Sequence, residues 1–453
     1  MHSNGVVRRP FRIMVEPGSY SIQNMGDVAM LKVAVRRLHE LWPGSEIRVF
    51  TNAPAELARH CPDVIPLAAN GRALWFADEY LPGRVHQLLP ARASRRLAAL
   101  EHGMRHRHVA AAESMLRLRL QLRGRGKDDL DAFLDAMHNS DLLVVCGQGS
   151  MGDATMGHAL NVLATIEMAG ASGIPTLMFG QGIGPMRGDE LIARARTVLP
   201  SARLISLREG RAGPALLRSL GVDDARVTVT GDDAIELAYP ERPASLGNAL
   251  GVNVRVSGNA GTTSEYLDRV GPVLRTFAER VDAELVPAPI ARGAAHDADL
   301  LRRLIGDHGD SRDGGAGLDT PRAVIEQVGT CRVVVTGAYH AAVFALAQGV
   351  STVCLAHSDY YVDKFLGLAE LFGPACQVIM PDGDLGVASG AMLLAAIGTA
   401  WENADDVRPA LLAAAERQIE LGRAAYRAGA ELVGDGGSTA SPALGGPRRQ
   451  LAG

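Results

Sequence analysis

His340, Arg208 and Lys364 are the side chains of this chain whose types could together handle a small anion and its protons. A histidine titrates near neutrality and can give or take a proton while a reacting group changes charge. An arginine presents a planar fork to phosphate or carboxylate, and a lysine presents a compact ammonium. His340 lies just past the apolar run from Arg332 to Thr336, with Tyr339 before it and the polar stretch His357 to Tyr361 after the next apolar run. Arg208 follows the run from Arg203 to Ser206. Lysine occurs only at Lys32, Lys127 and Lys364 among 46 basic residues, so arginine has taken almost every other basic position. A lysine that persists in such a chain marks a place where a guanidinium does not substitute for it. Each residue also has a plainer reading: His340 as a packed histidine at a helix start, and Arg208 as a surface ion pair with Glu209.

Other strand-like runs end in the same manner. Phe11 to Glu16 leads into GSYSIQNMGD, where Asp27 is placed to cap a helix from Val28 to Leu41 and Asn24 and Gly26 flank an anion-favouring helix start. Asp141 to Cys146 ends in GQGSMGD, which holds Gly149 and Ser150. Pro175 to Phe179 ends in GQGIGP, which holds Gln181 and Gly182. Arg203 to Ser206 leads on to Glu209, Val227 to Thr230 to Asp232, and Leu250 to Val254 to Arg255. One glycine turn after a strand serves turn geometry alone. Repetition of small or charged residues at successive strand ends indicates a doubly wound parallel sheet, which gathers its ligand site from those ends.

The elements needed to hold these ends form two strand-helix series, before and after a proline-bearing polar stretch from Glu241 to Asn248. A length of 453 residues exceeds one hydrophobic core, and 47% hydrophobic content supports two. The predicted fold is α/β, with two doubly wound Rossmann-like domains facing a cleft in a GT-B-like arrangement. Residues 1–244 form the first domain and 245–401 the second, a helix over 402–433 packs back, and 434–453, rich in Gly, Ser and Pro, reads as disordered. Residues 307–317 read as a mobile connection. Residues 82–127 read as a helical insertion with eleven basic residues against two acidic ones, which suits a solvated face, or else contact with acidic headgroups or a diphosphate-bearing acceptor. With few aromatics interleaved and a net charge of -4, nucleic acid is not an expected partner. The five cysteines form no CxxC pair and several lie in apolar runs, so they read as reduced core residues of a cytoplasmic protein. Metal-ligand spacing is absent, no run of eighteen apolar residues appears, and the N-terminal stretch has no signal-peptide core.

Taken in order, Asn24-Met25-Gly26-Asp27, Gly147 to Ser150, Gly180 to Pro185, Ser206 to Glu209, Gly231-Asp232-Asp233, Tyr339-His340 and Asp363-Lys364 resemble the polysaccharide pyruvyl transferase family. The resemblance spans roughly residues 11 to 373. It implies a transferase that uses phosphoenolpyruvate as co-substrate, with no cofactor or metal, to place a pyruvate ketal on a sugar or lipid-linked glycan acceptor. It also implies His340 as general acid/base, with Arg208 and Lys364 on the donor's charges. The remaining named positions, Asn24, Gly26, Asp27, Gly149, Ser150, Gln181, Gly182, Glu209, Asp232, Arg255 and Tyr339, become substrate-binding candidates. The pattern departs at Ala338, where similar proteins carry an arginine, and this leaves a nucleotide sugar as the alternative donor. Peripheral contact with the inner membrane face and homo-oligomerisation stay open.

Overall fold

The computed structural model describes residues 9–77, 108–254, 264–293, 297–306, 313–380 and 390–434, with scattered positions between 88 and 105. The expectations for Arg255, for residues 307–312 and for the tail beyond Gly434 fall outside them.

Two parallel sheets carry the chain. The first holds β1 (Arg12–Glu16), β2 (Glu46–Thr51), β3 (Ile65–Ala68), β4 (Leu142–Val145), β5 (Gln148–Met151), β6 (Thr176–Ile183), β7 (Leu204–Leu207) and β8 (Val227–Val229). Its order is β3-β2-β1-β4-β6-β7-β8, with β5 paired to the far end of β6. The second holds β9 (Ala249–Asn253), β10 (Leu285–Pro287), β11 (Cys331–Thr336), β12 (Ser351–Leu355) and β13 (Cys376–Ile379), in the order β10-β9-β11-β12-β13. Strands such as LLVV in β4 and STVCL in β12 are buried at every position, because helices cover both faces. Each sheet reverses its strand order once, between β1 and β4 and between β9 and β11. Crevices open at such points beyond the strands' carboxyl ends.

Several elements differ from the sequence expectation. The first helix runs over Met25–Leu41, and its cap is Asn24 rather than Asp27: the Asn24 carboxamide oxygen accepts from the amides of Gly26 at 3.0 Å and Asp27 at 3.2 Å. An asparagine three residues earlier satisfies the first-turn donors that aspartate was expected to take. The GQG of GQGIGP is not a turn, because β6 continues to Ile183, and within GQGSMGD the segment Gln148–Met151 is strand β5. Lys364 lies inside the helix Asp359–Phe372 rather than at its start, and His340 lies in the first turn of the helix Tyr339–Ala347.

The closing helix Ala404–Val433 lies against both sheets' layers. At one end Arg408 donates to the Gln348 carbonyl at 2.8 Å, beside β12. Towards the other, Tyr426 stacks on Phe179 of β6 with centroids 3.7 Å apart, and Gly429 lies against Leu177 and Phe179. Tyr426 also donates to the Asp233 carboxylate at 3.0 Å. Asp233 in turn accepts from Arg37 of the first helix at 2.8 Å, and Arg37 Nε reaches Glu236 at 2.9 Å. Arg37, Asp233 and Glu236 are all buried, so the guanidinium keeps two carboxylates from being left as bare charges. Replacement of Arg37 by methionine is therefore expected to remove about 3–5 kcal/mol of stability. A lowered urea midpoint at unchanged slope checks this, and an unshifted midpoint would show that the network does not hold the closing helix in place.

Candidate active site

A cleft of about 320 Å³ opens where the two switch points face each other. The first sheet supplies the loop after β1, through Gly18, Ser19, Ser21, Gln23, Asn24 and Asp27, and the segment after β4, through Gly149 and Ser150. Arg208 enters from the end of β7. The second sheet supplies Ile290 to Arg292 beyond β10, Tyr339 and His340 beyond β11, and Tyr360, Tyr361 and Lys364 beyond β12. The two halves join at the cleft's edge by main-chain hydrogen bonds, Met25 N to Ile290 O at 2.8 Å and Arg292 N to Gln23 O at 2.9 Å. In the same loop Ile22 is buried at φ 54°, a left-handed backbone that a β-branched residue adopts only under strong constraint.

Arg208 is 1% exposed and held on three sides. Its Nη1 lies 3.3 Å from Asp232 Oδ2, and its guanidinium lies 4.2 Å from the centre of the Tyr339 ring. A β-carbon on Gly182 would stand 2.8 Å from Nε, so glycine is required for the side chain to pass. At 3.3 Å and an effective dielectric of about 20, the Arg208–Asp232 attraction is about 5 kcal/mol. Desolvating two ions costs several kcal/mol each, so the pair does little for net stability and serves to fix a charge in position.

Asp232 also orients the histidine. Its Oδ2 lies 3.6 Å from His340 Nε2, and its Oδ1 accepts from the Ala234 amide at 2.9 Å. Burial alone would raise the Asp232 carboxyl, but His340 and Arg208 hold it below the usual carboxylate range. Burial raises the Tyr339 phenol well above its ordinary value, with Arg208 opposing in part, so Tyr339 stays a neutral donor. His340, 7% exposed, is pressed against the first helix: a β-carbon on Gly26 would come 1.9 Å from its Cγ. No other residue type fits at 26 without moving the imidazole.

Gly149 is where the cations meet. A β-carbon there would lie 2.4 Å from Arg208 Nη2 and 2.5 Å from Lys364 Nζ, so one cation from each sheet flanks the same point. Lys364 Nζ donates to the Gly149 carbonyl at 3.2 Å, and the Tyr360 hydroxyl bonds to both. Two buried polar atoms in this corner, Arg208 Nε and Tyr339 Oη, make no hydrogen bond among the described residues, while His340 Nε2 faces the Asp232 carboxylate at 3.6 Å. Buried polar atoms are nearly always paired, so two orphans lining one cleft mark where a ligand's acceptors belong.

Of the residues singled out in the sequence, Asn24, Asp27, Gly149, Ser150, Arg208, Tyr339, His340 and Lys364 line the cleft. Gly26, Gly182 and Asp232 lie directly behind them. Gln181 and Glu209 do not line it. Gln181 is turned into the sheet, donating to the carbonyls of Val145 at 3.0 Å and Phe179 at 2.8 Å. Glu209 accepts from the Arg211 amide at 2.8 Å and packs against Gly367, so its carboxylate shapes the turn after β7 and takes no part in an ion pair with Arg208. Sequence reasoning missed Ser21, Gln23, Thr155, Arg292, Tyr360 and Tyr361. The two tyrosines had a signal, since they stand in the polar stretch beyond β12. Arg292 had none, because only pairing of Gln23–Met25 with Ile290–Arg292 brings it in.

The model of the polysaccharide pyruvyl transferase family matches residues 24–359. A Listeria monocytogenes structure assigned as a UDP-N-acetylglucosamine 2-epimerase superposes at a TM-score of 0.52 and 12% identity, over 93% of this chain and 95% of its own. A Polygonum tinctorium UDP-glucosyltransferase gives 0.50 and 13%, over 94% and 99%. At these identities the likeness is one of fold, and that fold is the two-domain GT-B arrangement. No curated protein matches the sequence.

Gly149→Ala puts a methyl group between the ends of Arg208 and Lys364. It is expected to weaken phosphate binding by about tenfold, read by calorimetry, with the melting temperature unchanged. Undiminished phosphate binding would mean that Arg208 and Lys364 do not act on one anion.

Proposed function

Because the chain belongs to the polysaccharide pyruvyl transferase family, we propose that it moves the enolpyruvyl group of phosphoenolpyruvate onto two hydroxyls of a sugar or glycan precursor, forming a pyruvate ketal. The observation that carries this reading is the meeting of Arg208, Lys364, Tyr339 and His340 around one cleft, with Arg208 Nε and Tyr339 Oη buried and unpaired among the described residues. Phosphoenolpyruvate carries a phosphate and a carboxylate on three carbons. Arg208 and Lys364 take those charges, with Tyr339 as a neutral donor. Tyr339, Arg208 and Asp232 form a fixed electrostatic frame that need not reorganise during the reaction.

His340 delivers a proton to the donor's methylene carbon, which becomes a methyl group, and the adjacent carbon becomes cationic. A sugar hydroxyl attacks that carbon and loses its proton to the imidazole. The bond from that carbon to the bridging phosphate oxygen breaks as the imidazole passes its proton to the departing phosphate, and a second sugar hydroxyl attacks the carbon and gives its proton to the imidazole, which closes the ketal and restores the starting state. Asp232 stabilises the charged imidazole at the steps where it holds the proton. Arg292, which lines the same cleft with its Nη1 3.5 Å from Asp319, is the basic residue assigned to the place that Ala338 leaves without a cation. No cofactor is needed for this chemistry.

In this reading residues 1–244 face the acceptor and residues 245–401 the donor, although Arg208 reaches the donor corner from the first domain. The hydroxyl and amide groups of Ser19, Ser21, Gln23, Asn24, Ser150 and Thr155 suit sugar hydroxyls. A cleft of about 320 Å³ lies near the lower end of ligand pockets, about 300–1,000 Å³, which fits a three-carbon donor with a sugar ring better than a nucleotide sugar. The setting is cytoplasmic assembly of a cell-envelope polysaccharide.

Ala338 favours a second reading, a GT-B transferase with a nucleotide sugar as donor. Thermal denaturation separates the two, because a ligand at a hundred times its dissociation constant adds about 2.7 kcal/mol of stability. Phosphoenolpyruvate is expected to give this stabilisation and uridine diphosphate to give none; the reverse would establish the second reading. His340→Ala is expected to lower turnover by two to four orders of magnitude, about 10²–10⁴-fold, with folding intact. A rate within twofold of the parent protein would remove His340 from the chemistry.

A further inference from the structure

The helix Val109–Leu122 buries Ala112, Leu116 and Leu120 in the core of the first sheet, together with the first-turn side of Glu113. Its opposite face is apolar too. Met115 is 45% exposed, Leu118 58% and Leu122 80%, at a spacing of three and four residues that aligns them in one stripe. Among the described residues, the large apolar side chains more than half exposed are Leu88, Leu100, Leu118 and Leu122, all in this part of the chain.

The flanks of the stripe are cationic. Helical spacing sets Arg119 and Arg123 on one side of it and Arg117 on the other, where Arg117 pairs with Asp131 at 2.6 Å; Arg125 follows in the connection to the next helix, with Lys127, which lies 3.7 Å from the same Asp131. The helix's one acid, Glu113, is turned inward, 3.0 Å from His138 and 3.2 Å from Arg117. A water-exposed row of leucine and methionine framed by arginines has the composition of a helix lying in a membrane surface, with its apolar face at the acyl boundary and its cations among the headgroups. It does not suit the alternatives. A second copy pairing through the same stripe would set arginines against arginines. A nucleic-acid backbone would leave the apolar row in water.

We propose that this helix docks the protein onto an anionic phospholipid bilayer. No helix among the described residues is long and apolar enough to cross a membrane, so the contact is peripheral. It is independent of the donor chemistry in the cleft.

The test is co-sedimentation of the full-length protein with phosphatidylglycerol–phosphatidylcholine vesicles and with pure phosphatidylcholine vesicles, at low and high salt. The protein is expected to bind the anionic vesicles at low salt, to bind zwitterionic ones at least tenfold more weakly, and to dissociate as salt rises. Leu118→Gln with Leu122→Gln should lower partition on the order of tenfold or more. Arg123→Gln with Arg125→Gln should lower it about fivefold per charge. These side chains are exposed, so the melting temperature of each variant should match the parent's, and turnover on a soluble acceptor should stay within twofold. Absence of vesicle binding at low salt, equal binding to both vesicle types, or full binding by both variants would overturn the proposal. So would a concentration-dependent dimer that Leu118→Gln with Leu122→Gln abolishes, found without vesicle binding.

Discussion

A guanidinium buried at the meeting of two sheets sets the terms for everything around it. Arg208 is sealed from water, and such a charge is tolerated only with a partner close by. Asp232 provides the partner and the Tyr339 ring provides a face. Asp232 belongs to the first sheet's layer and Tyr339 to the second's. The stacking on Tyr339 therefore ties the relative placement of the two halves to the placement of one positive charge. The same carboxylate lies beside His340, so a proton-handling group and an anion-binding group are oriented by one acid.

Close approach is the second constraint. Gly26, Gly149 and Gly182 each occupy a place where a β-carbon would meet His340, the two cations, or Arg208 alone. These glycines come from three different elements of the first half, the helix after β1, strand β5 and strand β6, yet all act on side chains in the shared corner. Their role is to let backbone pass close beside imidazole, ammonium and guanidinium, so that the charges are not pushed apart into solvent. The closing helix fixes the frame from behind. It is bound through Tyr426 to Asp233, the immediate neighbour of Asp232, and Asp233 is bound to Arg37 on the helix whose first turn holds Gly26. Burial and the nearby Asp232 raise the Asp233 carboxyl, with Arg37 opposing, while Asp232 is held low. Two consecutive aspartates thus have different surroundings and different tasks, one in the cleft and one in the scaffold.

A similar division applies to the helix Val109–Leu122, which follows the first sheet's fold on one face and departs from it on the other. Its inner face needs only to match the core, and Ala112, Leu116 and Leu120 do so. On its outer face Leu118 and Leu122 stay exposed, and exposed apolar rows of this kind are the features of a surface that a partner accounts for. Placing that surface on the insertion keeps it clear of the cleft.

By itself the sequence determined the parallel α/β class, the two strand series and the identity of the charged groups at their ends. Those depend on local signals: apolar runs bounded by glycine, and polar residues that cannot lie within a buried strand. It also located His340 and Arg208 at strand ends, because period and punctuation are written in consecutive residues. Tertiary structure alone decided which strand ends face one another. Cleft-lining Arg292 was hidden because its place follows from main-chain pairing of its neighbour Ala291 with Asn24, 267 positions away. Glu209 and Gln181 looked like site residues in the chain and are scaffold in the fold, since a side chain's direction depends on what packs against it. Asp27 lost the cap to Asn24 for a similar reason, the helix starting one turn earlier than the apolar pattern alone indicated.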